Sequence, residues 1–288
     1  MHSKAYIGRF APSPSGPLHF GSLIAALGSY LRARAQQGKW LVRIEDIDPP
    51  REIAGASSHI LSTLDAYGLH WDDTELYQSS RLDAYEAQLQ QLLSHNNAYY
   101  CQCTRKLIQT MGGHYDGRCG QLYPALNQGA IRIRNASPVC RFTDQLMGEI
   151  DVDANFAGED FIIKRRDGLY AYQLAVVMDD AYQGITEVVR GCDLLTSSVR
   201  QATLFNQFSL ACPQWLHLPL VCAEPGLKLS KQNHAPAIDS KAPQQSLQSA
   251  LAFLGQPSVD IDDPRTMLAQ AISQFTLHAI PKQQEIVL

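Results

Sequence analysis

Four groups of residues in this chain have the types and spacing to do chemistry. Near the start, Arg9-Phe10-Ala11-Pro12-Ser13-Pro14-Ser15-Gly16-Pro17-Leu18-His19-Phe20-Gly21-Ser22 sets one imidazole among small residues at a turn punctuated by proline and glycine. Far downstream, Lys228-Leu229-Ser230-Lys231 places two lysines in a loop-like segment opened by Pro225-Gly226. A helix beginning after the first stretch would offer unpaired N–H groups and the positive end of its dipole to a triphosphate. Gly21 would let an adenine ring approach the backbone, and His19 would donate to a phosphate oxygen as charge builds at the α-phosphorus. Lysines on a mobile loop would close over the β- and γ-phosphates and stabilise departing pyrophosphate. The third group, Arg9, Glu45, Tyr172 and Arg190, joins two guanidiniums, a carboxylate and a phenol into a cage for an amino acid with two carboxylates and one ammonium. The fourth is Cys101-Gln102-Cys103, followed by His114, Tyr115 and Cys119. Three thiols and one further donor there would hold a tetrahedral zinc with no open position, hence a structural one.

The elements that must position these groups follow from hydrophobic pattern. Ala5 to Phe10, Leu41 to Ile44, Phe161 to Lys164, Glu187 to Arg190 and His217 to Val221 read as short apolar strands, and Ser22 to Ala35 as a helix. Gln244 to Leu254 and Pro264 to Phe275 show helical apolar spacing near the end. The alternation implies an α/β domain with a doubly wound parallel sheet, able to bring segments so distant in sequence onto one face. Residues 1–97 and 160–226 are expected to form its two halves, 98–159 an inserted zinc-bearing subdomain, and 227–288 the lysine loop with a small helical appendage.

Composition sets bounds. The chain has 288 residues, 45% of them apolar, and a mean hydropathy of −0.18, which describes an ordinary globular protein with room for more than one domain. There is no leader-like start and no apolar run long enough to span a bilayer, so a cytoplasmic enzyme without membrane contact is expected. Seven cysteines without regular spacing fit a reducing compartment. The formal charge of −4 means that contacts to a nucleic acid would have to be local, from Arg132 and Arg134 or from Lys164-Arg165-Arg166.

Together the first two motifs resemble the HIGH and KMSKS signatures of the class I aminoacyl-tRNA synthetases, with Ser22 where the second histidine of HIGH would stand. The resemblance is to the glutamyl-tRNA synthetases from about residue 5 to about residue 235. It implies that Arg9, Ala11, Ser13, Glu45, Tyr172 and Arg190 bind glutamate, with Arg9 and Arg190 on its carboxylates and Glu45 on its α-ammonium. It also implies that His19, Gly21, Ser22, Lys228, Ser230 and Lys231 handle Mg-ATP, with His19 and Lys231 stabilising charge in the reaction. The chain ends soon after Lys231, where the full-length family continues into a helical anticodon-binding domain, so no such domain is expected here. That shortness, with the Cys101, Cys103, Tyr115 and Cys119 pattern, resembles the glutamyl-queuosine tRNA(Asp) synthetases. Membership would imply a ligase that activates L-glutamate and transfers it to the queuosine base at the wobble position of tRNA(Asp). Tyr115 and His114 both remain open as fourth zinc ligand, as does the question of which arginine takes which carboxylate. Charging of a tRNA 3′ end, a non-catalytic tRNA-binding role and a small-molecule adenylate-forming ligase are the competing functions. Nothing in the sequence calls for an obligate protein partner.

Overall fold

The computed structural model describes residues 5–122, 127–229 and 235–288. Strand β1 (Ile7–Phe10) leads through the proline-rich turn into α1 (Phe20–Ala35) and β2 (Lys39–Ile44). Helix α2 (Ala56–Ala66), β3 (Leu76–Tyr77) and α3 (Leu82–Ser94) follow. The middle of the chain holds β4 (Ala98–Cys101), α4 (Arg105–Thr110), α5 (Arg118–Leu122) and β5 (Ala130–Ile133). Next come β6 (Arg141–Asp144), β7 (Gly148–Asp151), α6 (Ala154–Gly158) and β8 (Ile162–Lys164). The second half continues with α7 (Tyr172–Tyr182), β9 (Glu187–Gly191), α8 (Ser197–Gln207), β10 (Gln214–Leu218), β11 (Leu220–Glu224) and β12 (Leu227–Lys228). It closes with α9 (Pro243–Phe253), α10 (Pro264–Gln274) and β13 (Glu285–Val287).

Strands β3, β2 and β1 pair in parallel, as do β9 and β10. The two ladders adjoin at Thr186, whose N–H donates to the Ile7 carbonyl at 2.8 Å, while the Ile7 N–H donates to Thr186 Oγ1 at 2.9 Å. The spatial order β3-β2-β1-β9-β10 therefore reverses between β1 and β9. At such a switch point, a crevice opens over the carboxyl ends of the strands. Arg9 and Arg190, near the ends of β1 and β9, stand on either side of it.

Two cores sandwich the sheet. On one face Leu23, Ile24, Leu27 and Leu31 of α1 join Trp40, Ile44, Ile60 and Leu64, and α9 and α10 add Leu247, Leu251 and Leu268. Each of the four α1 residues is at most 1% exposed, worth about 2 kcal/mol per side chain relative to exposure. Helix α1 lies close enough to β10 that a Cβ on Gly28 would come within 2.5 Å of Leu218 Cδ1. The terminal helices thus share the core of the helix that would hold the phosphates. On the opposite face Tyr85, Leu89, Leu174, Val177, Leu204 and Phe205 knit α3, α7 and α8 together.

Three expectations change. The single strand expected over His217 to Val221 is two, β10 and β11, because Pro219 has no N–H to donate and breaks the ladder. The Phe161 to Lys164 strand leaves the parallel sheet, and β8 pairs antiparallel with β5 and, through it, β4. Conversely, the β6–β7 hairpin joins the main sheet, with Asp144 opposite Trp215 of β10.

Candidate active site

The end of β1 carries Arg9, which is 3% exposed and bonded through Nε to Asp180 Oδ1 at 2.9 Å and through Nη2 to Asp180 Oδ2 at 3.2 Å. Arg43 of β2 donates to the same Oδ1 at 2.7 Å, to Gln183 Oε1 at 2.9 Å and to Glu45 Oε1 at 3.3 Å. Burial opposes the Asp180 charge, but the two guanidiniums hold its carboxyl below the usual range. Burial pushes Glu45 upward against the pull of Arg43 and Arg9. This side of the crevice is therefore two cations set against two carboxylates. Asp180 was not singled out in the sequence. Its signal was there as an acidic pair, Asp179-Asp180, inside the otherwise apolar helix α7.

Arg190 is surrounded differently. All five of its N–H donors have protein acceptors, and none is a carboxylate. Nε donates to His217 Nε2 at 3.1 Å, Nη1 to Gln201 Oε1 at 2.8 Å and to the Tyr172 hydroxyl at 3.2 Å. Nη2 donates to Ser198 Oγ at 2.8 Å and to the Leu194 carbonyl at 3.3 Å. The guanidinium lies over the Trp215 ring, 5.1 Å from its centroid. Burial lowers its pKa, the direction expected for a desolvated cation without a bonded anion. Tyr172, the first residue of α7, accepts from Arg190, so its own O–H is left to point at a ligand. Tyr172 lies in the field of Arg190, Glu45, Arg9 and Asp180 together, so the cage residues converge on one place. Burial keeps its phenol protonated. Such an arrangement can seat one anion against Arg190 and Tyr172 and an ammonium against Glu45.

The phosphate-handling residues meet in a cleft of about 380 Å³ lined by His19, Gly21, Ser22 and Lys228. His19 is the N-cap of α1, its side chain makes no capping bond, and the first turn carries no acid, so the helix start presents its N–H groups to the cleft. A Cβ on Gly21 would stand 3.1 Å from His19 Cε1 and 3.6 Å from the Leu229 carbonyl oxygen. Lys228 Nζ meets Asp193 Oδ2 at 2.6 Å, and Asp193 also lines the cleft. Ser13 and Ser15 line both this cleft and a neighbouring cavity of about 330 Å³ that contains Glu45. Ala11 sits at the same turn with only its backbone to offer polar contacts. Ser230 and Lys231 lie outside the described residues.

The Sγ atoms of Cys101, Cys103 and Cys119 lie within 4.8 Å of one another, with Cys103 and Cys119 at 3.5 Å. Tyr115 is buried beside them, its hydroxyl accepting the Cys119 N–H at 2.9 Å, whereas His114 is exposed and outside the cluster. Burial and the two neighbouring thiols push Cys103 up to about 12. The donor set fits zinc. Arg132 is not a surface phosphate contact. It is 3% exposed, donates to the Asp160 carbonyl at 2.6 Å and to Cys101 Sγ at 3.3 Å, and stacks on Tyr115 at 3.8 Å. Arg134 stacks on Tyr99 at 4.6 Å. In the other basic cluster, Lys164 pairs with Glu86 and Arg165 with Asp48 and Asp167, which leaves Arg166 the exposed member.

The family described as "tRNA synthetases class I (E and Q), catalytic domain" matches residues 7–254. The chain belongs to this class I synthetase family. It is accordingly a ligase that uses ATP. Among its relatives, the glutamyl-Q tRNA(Asp) synthetase of Shewanella frigidimarina is 67% identical over 288 residues, covering 100% of this chain and 98% of that protein. The glutamyl-Q tRNA(Asp) synthetase of Escherichia coli K12 is 54% identical over 285 residues, covering 98% of this chain and 92% of that protein. A glutamate tRNA ligase from Elizabethkingia meningosepticum, solved in complex with its amino acid, shares the class I fold with a TM-score of 0.81 at 24% identity. That alignment covers 97% of this chain and 66% of the ligase, so the chain spans about two thirds of its length. Among the described residues, no helix of this synthetase domain is long and apolar enough to cross a membrane.

Proposed function

We propose that the chain activates L-glutamate with Mg-ATP and transfers the glutamyl group to the queuosine base at the wobble position of tRNA(Asp). The observation that carries the choice of amino acid is Arg190, a buried guanidinium bonded only to neutral groups beside the Tyr172 hydroxyl. It takes the side-chain carboxylate, because the Arg9 side is already neutralised by Asp180. Glu45 takes the α-ammonium, Ser13 lines the passage towards the nucleotide, and Ala11 offers its backbone to the glutamate from the same turn. The choice of acceptor is supported by the end-to-end likeness to the glutamyl-Q tRNA(Asp) synthetases.

In the first step the glutamate α-carboxylate attacks the α-phosphorus of ATP in line and pyrophosphate leaves. His19, Gly21 and Ser22 at the start of α1 and Lys228, Ser230 and Lys231 on the downstream loop hold the phosphates, with His19 and Lys231 stabilising the charge that develops. In the second step a queuosine hydroxyl attacks the glutamyl carbonyl and AMP leaves. The ribose-like diol of queuosine lets the same chemistry serve a base in an anticodon loop, where unpaired bases splay outwards. Positioning carries both steps, with no covalent enzyme intermediate.

Cys101, Cys103, Tyr115 and Cys119 would hold a zinc ion, whose role would be to tie β4 to α5. Residues 1–97 and 160–226 act as the catalytic halves, with the β6–β7 hairpin added to their sheet, the rest of 98–159 as the insertion facing the tRNA and 227–288 as the loop and stem-contacting part. The substrates place the enzyme in the cytoplasm.

The test is ATP-dependent transfer of labelled glutamate to tRNA(Asp) with and without queuosine, beside tRNA(Glu). Label on the queuosine-containing tRNA(Asp) alone is expected. Label at the 3′ end of tRNA(Glu) would replace this reading with that of a compact glutamyl-tRNA synthetase.

A further inference from the structure

Behind Arg190 lies a chain of buried polar groups that no catalytic step above uses. Asp144, at the end of β6, is 2% exposed and His217, on β10, is 0% exposed. Asp144 Oδ2 is 2.7 Å from His217 Nδ1, and His217 Nε2 is 3.1 Å from Arg190 Nε. A guanidinium nitrogen can only donate, so His217 Nε2 must be an acceptor there. That requires the proton on Nδ1, where a carboxylate is placed to receive it.

The carboxylate is itself locked. Asp144 Oδ1 accepts the N–H groups of Leu146 at 3.0 Å and Met147 at 2.8 Å, and the His217 N–H lies at 3.4 Å. Only Oδ2 is left to face the imidazole. Ser198 Oγ, 3.2 Å from His217 Nε2 and 2.8 Å from Arg190 Nη2, ties the same ring nitrogen to the guanidinium. The stack is closed by Trp215 under the guanidinium and by Phe142 edge-on to the imidazole at 6.3 Å.

We propose that Asp144 and His217 are positioning residues for substrate selection: Asp144 fixes the Nδ1–H tautomer of His217, which orients the Arg190 guanidinium to read the substrate's side-chain carboxylate. The inference rests on the assignment of Arg190 to that carboxylate. A neutral acceptor is the suitable partner, because it holds the guanidinium's direction without cancelling the charge that the substrate must meet. A carboxylate bonded directly to Arg190 would do both, as Asp180 does to Arg9.

Asp144→Asn is the decisive change. The N–H groups of Leu146 and Met147 require the amide oxygen at the Oδ1 position, so the amide nitrogen must face His217 Nδ1 and donate to it. The imidazole proton is then driven to Nε2, against the guanidinium. Wrong-tautomer behaviour of this kind is what an Asp-to-Asn change beside a histidine produces. Nitrogen-15 spectra of His217 should show Nδ1–H in the wild type and Nε2–H in the variant. In pyrophosphate exchange run with tRNA(Asp) present, the KM for glutamate should rise roughly ten- to a hundredfold, as for a lost charged hydrogen bond. The KM for ATP should stay within about twofold, a split that general loosening of the fold would not give. His217→Gln, whose amide oxygen can replace the Nε2 acceptor, should retain far more glutamate affinity than His217→Ala. An Nε2–H tautomer in the wild type overturns the proposal, as does an unchanged KM for glutamate in folded Asp144→Asn or equal losses in the two His217 variants. The spectra are read without substrate. A wild type that shows Nδ1–H but fails to activate glutamate would therefore indict the substrate assignment and not the tautomer.

Discussion

Arg9 and Arg190 stand near the carboxyl ends of neighbouring strands and are almost equally inaccessible, at 3% and 6% exposure. Around Arg9 the protein supplies its own anions: Asp180 takes two bonds from Arg9 and one from Arg43, and Arg43 reaches on to Glu45. Around Arg190 it supplies only neutral acceptors and an aromatic face. Isolated buried charge is costly, so the first arrangement is what stability alone would select. The second spends stability to keep a positive charge waiting. Burial of an arginine thus does not reveal a binding role, whereas the charge of its partners does.

The comparison is broken most severely by Arg190→Gln. Loss of two charged hydrogen bonds to a carboxylate, which takes over the long Nη1 and Nη2 bonds to the Tyr172 hydroxyl and the Leu194 carbonyl, at about 2 kcal/mol each, should cut glutamate activation by roughly a thousandfold. Pyrophosphate exchange measures it, with circular dichroism to verify folding. The amide is preferred to alanine, because truncation would also leave His217, Gln201 and Ser198 without their donor.

Next comes Asp180→Asn, which should act on stability first. Leaving Arg9 and Arg43 buried without their shared anion should cost about 3 kcal/mol in urea unfolding at neutral pH. Asp180 is held below its ordinary 3.8 in the folded state. Its contribution is therefore complete above that value and is lost as the pH falls towards the folded pKa. The wild type should lose this part of its stability below about pH 4, and the variant should lack that component of the pH dependence.

A control sharpens the contrast, since neither arginine touches the thiol cluster. Cys119→Ser should lower the bound zinc, read by elemental analysis, and lower Tm by several degrees while leaving the KM for glutamate within about twofold. The smallest effect is expected of Gly21→Ala, whose methyl would meet the His19 ring at 3.1 Å. The ring has to yield slightly, so the KM for ATP should rise about threefold and that for glutamate should not move.

Much of this was legible in the sequence where the signal is local. The helices at α1, α9 and α10 follow apolar periodicity and came within two residues of their expected bounds. Tyr115 and the three cysteines lie within one short stretch, so chain proximity brings them together. What escaped depends on sheet pairing. Asp144 and His217 are 73 positions apart, and Arg9 and Asp180 are 171 apart, with no local pattern linking either pair. Arg132 misled for a related reason. In Ala130–Ile133 the alternation correctly turns Ile131 and Ile133 to one core, but only the tertiary structure reveals that Cys101 and Tyr115 cover the other face. Pro219 was present to mark the break between β10 and β11, and the apolar run across it hid the signal.

The central claim, that Arg190 selects the substrate by keeping its charge uncancelled, is tested most directly by comparing glutamate with glutamine in pyrophosphate exchange. The wild type and Arg190→Gln would be run side by side with tRNA(Asp) present. A glutamate preference of at least about a hundredfold in kcat/KM should fall to within about tenfold in the variant. A preference for glutamate that survives the substitution undiminished would contradict it.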